Sequence, residues 1–151
     1  MAGVAFSPDA FACGVDIVGP SNLNTLLQTI PPYWSTILST FHKRMGDSEP
    51  VLSAQSPLFK ANQIKAPLII GQGANDPRVK KAESDQIVEA MRKNQKNVLY
   101  YVFPDEGHGF VRPANNMAFN AAAENFLAKY LGGRAEPPSA AEAKLLESVK
   151  Q

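Results

Sequence analysis

His108 stands between two glycines in Asp105-Glu106-Gly107-His108-Gly109-Phe110, just after an apolar run that ends at Pro104. Glycine on either side lets the backbone turn tightly and leaves the imidazole projecting from the loop. An imidazole so placed suits general acid–base work, although an ordinary surface-loop histidine carries the same local pattern. Asp76 lies in Asn75-Asp76-Pro77, after Gly71-Gln72-Gly73-Ala74. Alone it reads most simply as a turn residue, because Asn, Asp and Pro all favour turns. The two together read differently. A carboxylate after one strand and a histidine after the next are an orienting acid and a general base, the acid holding the imidazole in one tautomer.

A matching nucleophile is not evident. The strand-to-helix elbow of the α/β hydrolases is Gly-x-Ser-x-Gly, whose tight turn demands glycines, and no such pattern occurs. Ser21 follows a strand signal in Gly19-Pro20-Ser21-Asn22-Leu23, but Leu23 replaces the second glycine and Pro20 has no N–H to offer. Ser7, in Phe6-Ser7-Pro8, has no strand before it. Cys13 sits inside an apolar run and reads as a buried structural thiol. Arg78 reads as a partner for a neighbouring carboxylate or as part of a pocket wall. Tyr33 and Trp34 read as packing residues and His42 as a surface residue. There is no paired-cysteine or His-x-x-x-His spacing for a metal and no glycine-rich phosphate loop. No cofactor is expected.

The elements that must position Asp76 and His108 follow from local patterning. Phe11 to Gly19 is a short, nearly continuous apolar run ended by Gly19-Pro20, which predicts a buried strand of a parallel sheet. Ser21 or Asn22 can cap a helix carrying Leu23, Leu26, Leu27 and Ile30, which Pro31-Pro32 stops. A helix is expected over about Tyr33 to Met45, with Trp34, Ile37, Leu38, Phe41 and Met45 as one buried stripe. Residues 48–66 read as loops and short turns. A strand over Pro67–Gly71, a helix over about Ala82–Asn94 and a strand over Val98–Phe103 follow. The last long helix, about Ala114–Leu131, is expected to pack through Met117, Phe119, Ala122, Phe126 and Leu127. Residues 134–151 read as a polar tail, flexible and loosely attached, with at most a marginal helix over Ser139–Val149. The order β-α-α-β-α-β-α argues for a parallel sheet with helices on its faces. In such sheets ligands bind at the C-terminal ends of the strands, where both suggestive loops lie.

The chain has 151 residues and a formal charge of +1. One domain is the prior at this length. Near-neutral charge gives no footprint for nucleic acid or an anionic membrane. No apolar run approaches a membrane span, and the first 13 residues lack the features of a secretory signal. One cysteine permits no internal disulfide, which fits a reducing compartment. A cytoplasmic location is the expectation.

Taken as a set, five segments resemble the catalytic domain of the prolyl oligopeptidase family, most of all its acylaminoacyl-peptidase and dipeptidyl-peptidase-like bacterial members. They are Asp16–Leu23, Ile30–Trp34, Gly71–Val79, Ala82–Gln86 and Phe103–Phe110. The resemblance covers about residues 3–133 and implies a partial α/β-hydrolase fold, its C-terminal half, with mostly parallel strands and flanking helices. It makes Asp76 the acid and His108 the base of a serine-peptidase triad. In the family the nucleophile elbow lies shortly upstream of the segment matching Phe6–Phe11. The expectation is therefore a catalytic-domain fragment, inactive alone, whose complete enzyme takes peptide substrates. Two alternatives stand beside it: a minimal carboxylesterase using one of its own serines, and a non-catalytic assembly module. Half a sheet leaves an open strand edge, which favours self-association or docking on an N-terminal partner half.

Overall fold

A computed structural model describes residues 1–151. Three parallel strands form the centre, in the order β1 (Gly14–Ile17), β2 (Leu68–Gly73), β3 (Val98–Phe103). Gly14 aligns with Leu68 and Ile17 with Gly71; Leu68 aligns with Val98 and Gly73 with Phe103. All three C-terminal ends therefore share one rim.

β2 is buried along its whole length, because both its edges are paired and both its faces are covered. Successive side chains of a strand point to opposite faces, and the core divides accordingly. Leu68, Ile70, Tyr100 and Val102 pack with Ile87, Val88 and Met91 of α5 (Lys81–Lys93), Ala61 and Ile64, and Val4 and Ala5 of α1 (Ala2–Phe6). Ile69, Tyr101 and Phe103 pack with Ala118, Phe119, Ala123 and Phe126 of α6 (Pro113–Leu131). The unbroken apolar reading of β2 and β3 is the signature of strands covered on both faces.

β1 departs from expectation. Only Gly14–Ile17 of the apolar run forms the strand, and it is an edge, with Val15 37% and Ile17 45% exposed. Apolar character predicted burial, but burial requires a second neighbour and a covering layer, and β1 is paired on one side only.

The segment expected as one helix over Tyr33–Met45 is a 3-10 helix, Pro32–Ile37, followed by α3, Leu38–Met45, and neither contains a buried residue. The proposed stripe is real as a pattern, with Trp34 and Phe41 edge-to-face at 6.0 Å, yet no layer of this chain covers it. Residues 48–66, read as loops, contain α4 (Glu49–Ala54) and a second 3-10 helix (Pro57–Gln63). Elements of six and seven residues are too short to show helical periodicity, although each has a proline in its first turn, where proline's missing N–H is harmless. Between β1 and these, α2 (Leu23–Gln28) starts as expected at an Asn22 cap, whose side chain accepts from Asn24 N at 3.1 Å.

The polar tail also departs from expectation. It ends in α7 (Ala140–Val149), whose Leu146 and Val149 complete the α6 side of the core. A capping box starts the helix: Glu142 N donates to Ser139 Oγ at 3.3 Å and Ser139 N donates to the Glu142 carboxylate at 2.7 Å. Beyond it, Lys150 bridges Tyr101 antiparallel and Gln151 N donates to Tyr100 O at 3.0 Å, so the tail covers the free edge of β3. Local composition is too polar to predict this, because Leu145, Leu146 and Val149 matter only against a surface formed by distant residues. That surface also explains Met117: α6 turns Phe119 and Phe126 inward and leaves Met117 61% exposed, not packed as expected. No helix is long and apolar enough to cross a membrane.

Candidate active site

Asp76 lies in the turn between β2 and α5. Its Oδ1 accepts the backbone N–H groups of Arg78 and Val79 at 2.8 and 2.9 Å. This is the turn chemistry expected of Asp, but it occupies only one oxygen. Oδ2 lies 2.8 Å from Nδ1 of His108, and Gln72 Nε2 approaches the same oxygen at 3.5 Å. The Asp76 side chain is fully buried, whereas that of His108 keeps 28% of its surface exposed. The structure thus brings together the two residues that the sequence singled out, one sheltered and one open to solvent.

Two loops must cross closely for this contact to form. A Cβ on Gly73 would lie 2.1 Å from the carbonyl oxygen of Gly107, so only glycine lets the histidine loop pass over the end of β2. Backbone ties fix the crossing: Ala74 N donates to Phe103 O at 2.9 Å and Asn75 N to Glu106 O at 3.0 Å. Asn75 Nδ2 donates to Pro104 O at 2.7 Å. Gly109 has φ +103°, a conformation costly to any side chain, and it turns the loop so that Phe110 packs on Phe103 and Phe119 at 4.6 and 5.0 Å between ring centres.

Two buried polar residues support the pair and a third, Glu83, joins the helices beside it; none of the three stood out as a site residue in the sequence. Gln72 donates to Gly73 O and Val79 O at 3.0 and 3.2 Å and accepts from Ser84 Oγ at 2.8 Å. Glu106, two residues before His108, accepts from Val111 N, Arg112 N and Asn115 Nδ2. Glu83 accepts from Ser21 N and Asn22 N at 3.0 and 2.8 Å and from the Thr25 hydroxyl, tying α2 to α5. Their one sequence signal was membership in the short segments Gly71–Val79, Ala82–Gln86 and Phe103–Phe110.

The alternative nucleophiles fall elsewhere. Ser21 is completely buried and donates to Glu83 O at 2.6 Å, a structural bond. Ser7 follows α1 at the surface, and Cys13 is half-buried beside the α6–α7 side of the core. None of the three bonds to His108. Arg78 makes no ion pair; its guanidinium lies 5.7 Å over the Trp34 ring, a cation–π contact. His42 is not a free surface residue: it is half-buried, and its Nδ1 is buried without a hydrogen-bond partner.

Chemically, a buried carboxylate on Nδ1 favours the tautomer with its proton there. Nε2, which makes no hydrogen bond, is then the basic nitrogen. An imidazole so held, with its outer nitrogen open at the rim, has the geometry that general acid–base chemistry requires.

Comparison with known proteins places the chain in a family and a fold. The model of the prolyl oligopeptidase family matches residues 1–134. The chain is 64% identical over 142 residues to dipeptidyl aminopeptidase BIII of Pseudoxanthomonas mexicana, covering 91% of this chain and 21% of that protein. It is 47% identical over 143 residues to dipeptidyl peptidase family member 6 of Caenorhabditis elegans, covering 91% and 19%. The chain thus spans about a fifth of the length of these relatives. A puromycin-hydrolyzing peptidase of Mycobacterium tuberculosis superposes with a TM-score of 0.77 at 25% identity, over 87% of this chain and 20% of that one. The acylaminoacyl peptidase of Pyrococcus horikoshii gives 0.75 at 22% identity, over 95% and 23%, a likeness of fold alone. The three strands and their helices are part of an α/β-hydrolase fold.

Proposed function

This chain belongs to the prolyl oligopeptidase family, and on that premise we propose that Asp76 and His108 are the acid and base of a serine-peptidase triad whose serine is carried outside these 151 residues. The observation that carries the reading is the 2.8 Å contact between Asp76 Oδ2 and His108 Nδ1. It joins a buried carboxylate to an imidazole whose other nitrogen is free at the rim of a parallel sheet. Support for an external serine is twofold. The sequence holds no Gly-x-Ser-x-Gly elbow, and Ser21, the serine that follows a strand, is buried in the Glu83 network.

In the complete enzyme the serine Oγ attacks the scissile carbonyl while His108 Nε2 accepts its proton. The imidazolium then protonates the leaving amine, and a water molecule, deprotonated by the same nitrogen, releases the acyl group from the serine. Asp76 holds the ring in place and stabilises the imidazolium. The names of the two curated relatives favour the removal of dipeptides from peptide N-termini as the whole protein's activity. The open edge of β1, with Val15 and Ile17 exposed, is the side on which the remainder of the sheet, with its serine, would add.

Fluorophosphonate labelling tests the reading. The 151-residue chain alone is expected to stay unlabelled. The same chain joined to the rest of its catalytic domain is expected to label at one serine outside residues 1–151, and to lose that label in His108→Ala. Labelling of Ser7 or Ser21 in the isolated chain, lost in His108→Ala, would replace this reading with that of a minimal esterase.

A further inference from the structure

We infer that Glu106 is the positioning residue of His108, holding the imidazole against Asp76 by anchoring both ends of its loop. The inference rests on the reading of Asp76 and His108 as acid and base. Glu106 is 3% exposed, and a buried carboxylate is retained only where it is fully hydrogen-bonded. Its Oε2 accepts Val111 N at 3.0 Å, and its Oε1 accepts Arg112 N at 2.9 Å and Asn115 Nδ2 at 2.8 Å. The side chain thus reaches forward over His108 and closes a short loop around it onto the first turn of α6. A negative group is favoured there by the helix dipole.

The main chain of the same residue reaches the other way. Glu106 O accepts Asn75 N at 3.0 Å, one residue before Asp76, and Glu106 N donates to Phe103 O at 3.3 Å. One residue therefore connects the acid loop, the end of β3 and the start of α6, with His108 between the anchored points. Gly107 and Gly109, on either side of the histidine, impose no side-chain restraint of their own, and Gly109 takes a left-handed φ of +103°. Without the Glu106 carboxylate the loop would keep on the α6 side only Phe110, packed on Phe103 and Phe119, and the half-exposed Asp105, paired with Arg112 and Asn115. A displacement of about 1 Å is enough to lose orientation between catalytic groups.

E106Q preserves volume but turns one acceptor into a donor, which sets an N–H against the backbone N–H of Val111 or Arg112. The test reads the imidazole proton itself, by NMR of the 151-residue chain. A low-field Nδ1 proton is expected in the wild type, absent in His108→Gln and lost in D76N. If D76N leaves it unchanged, the acid–base pairing itself fails. With the pairing established, E106Q is expected to shift or lose the signal while far-UV circular dichroism stays native. E83Q alters an equally buried carboxylate outside the loop and is expected to retain it. A folded E106Q whose signal keeps its wild-type position and intensity overturns the inference. Should E106Q not fold, E106D keeps the charge but shortens the reach to Val111 N and Arg112 N, and an unchanged signal in that folded variant overturns it equally.

Discussion

The rim at the ends of β2 and β3 and the segment from Pro32 to Met45 are both rich in groups that need partners, but only the rim finds them within this chain. At the rim, Asp76, Gln72 and Glu106 are buried and every one is hydrogen-bonded. In the 3-10 and α3 segment, Tyr33 is 60% and Ile37 41% exposed, and His42 Nδ1 is buried with no partner. A buried polar group without a partner costs about 1–3 kcal/mol, whereas an uncovered apolar side chain merely forgoes stabilisation. The contrast teaches that the Asp76–His108 contact is fully partnered within these 151 residues, while the apolar face nearby contributes little to holding them together.

The sharpest way to break the comparison is to change the rim without changing its shape. D76N in the complete enzyme is expected to lower peptidase turnover by about 10⁴-fold, through the wrong imidazole tautomer. Steady-state kinetics on a peptide substrate would check it, and a loss below tenfold would show that Asp76 is a turn residue only.

Stability separates the regions next. Leu146→Ala, in the tail that closes the core, is expected to cost about 2–5 kcal/mol, and Ile37→Ala within about 0.5 kcal/mol in either direction. Urea titrations of the two variants compare them directly; equal losses would mean that the exposed segment is held as tightly as the core. Between these two lies Trp34→Leu, which removes the ring beneath Arg78 and should cost about 0.5–1 kcal/mol by the same titration. A Trp34→Leu variant as costly as Leu146→Ala would place that segment with the core.

The smallest effect concerns pH. The hydrogen bonds from Ser139, side chain first and then backbone, hold the Glu142 carboxyl below the usual glutamate range. A lowered folded-state value contributes stability that is present above the unfolded-state value and lost as pH falls through the folded one. Acid titration should therefore loosen α7 at and below the ordinary glutamate range, and Glu142→Gln should abolish that part of the dependence. Circular dichroism against pH reads it, and identical profiles would remove the capping box from the account of the tail.

Much of the chain was legible in its residues. β3 spans Val98–Phe103 as read, and α5 and α6 start and stop within a residue of the reading, because apolar periodicity and proline or glycine stops are local signals. Asp76 and His108 were legible for the same reason: a turn after a strand and a glycine-flanked histidine are written in neighbouring residues. Glu106 and Gln72 were not, since a buried carboxylate or amide looks like a solvated one until its partners arrive from 5 to 12 positions away.

The residues by themselves determined that this is a parallel α/β chain with a carboxylate and an imidazole at successive strand ends, since strand, turn and helix preferences act over a few positions. Only the tertiary structure decided that β1 is an edge, that the polar tail is a packed helix guarding β3, and that Asp76 meets His108 at 2.8 Å. Each of these depends on which surfaces are covered by residues far away in the chain, and coverage, unlike periodicity, is a property of the folded whole.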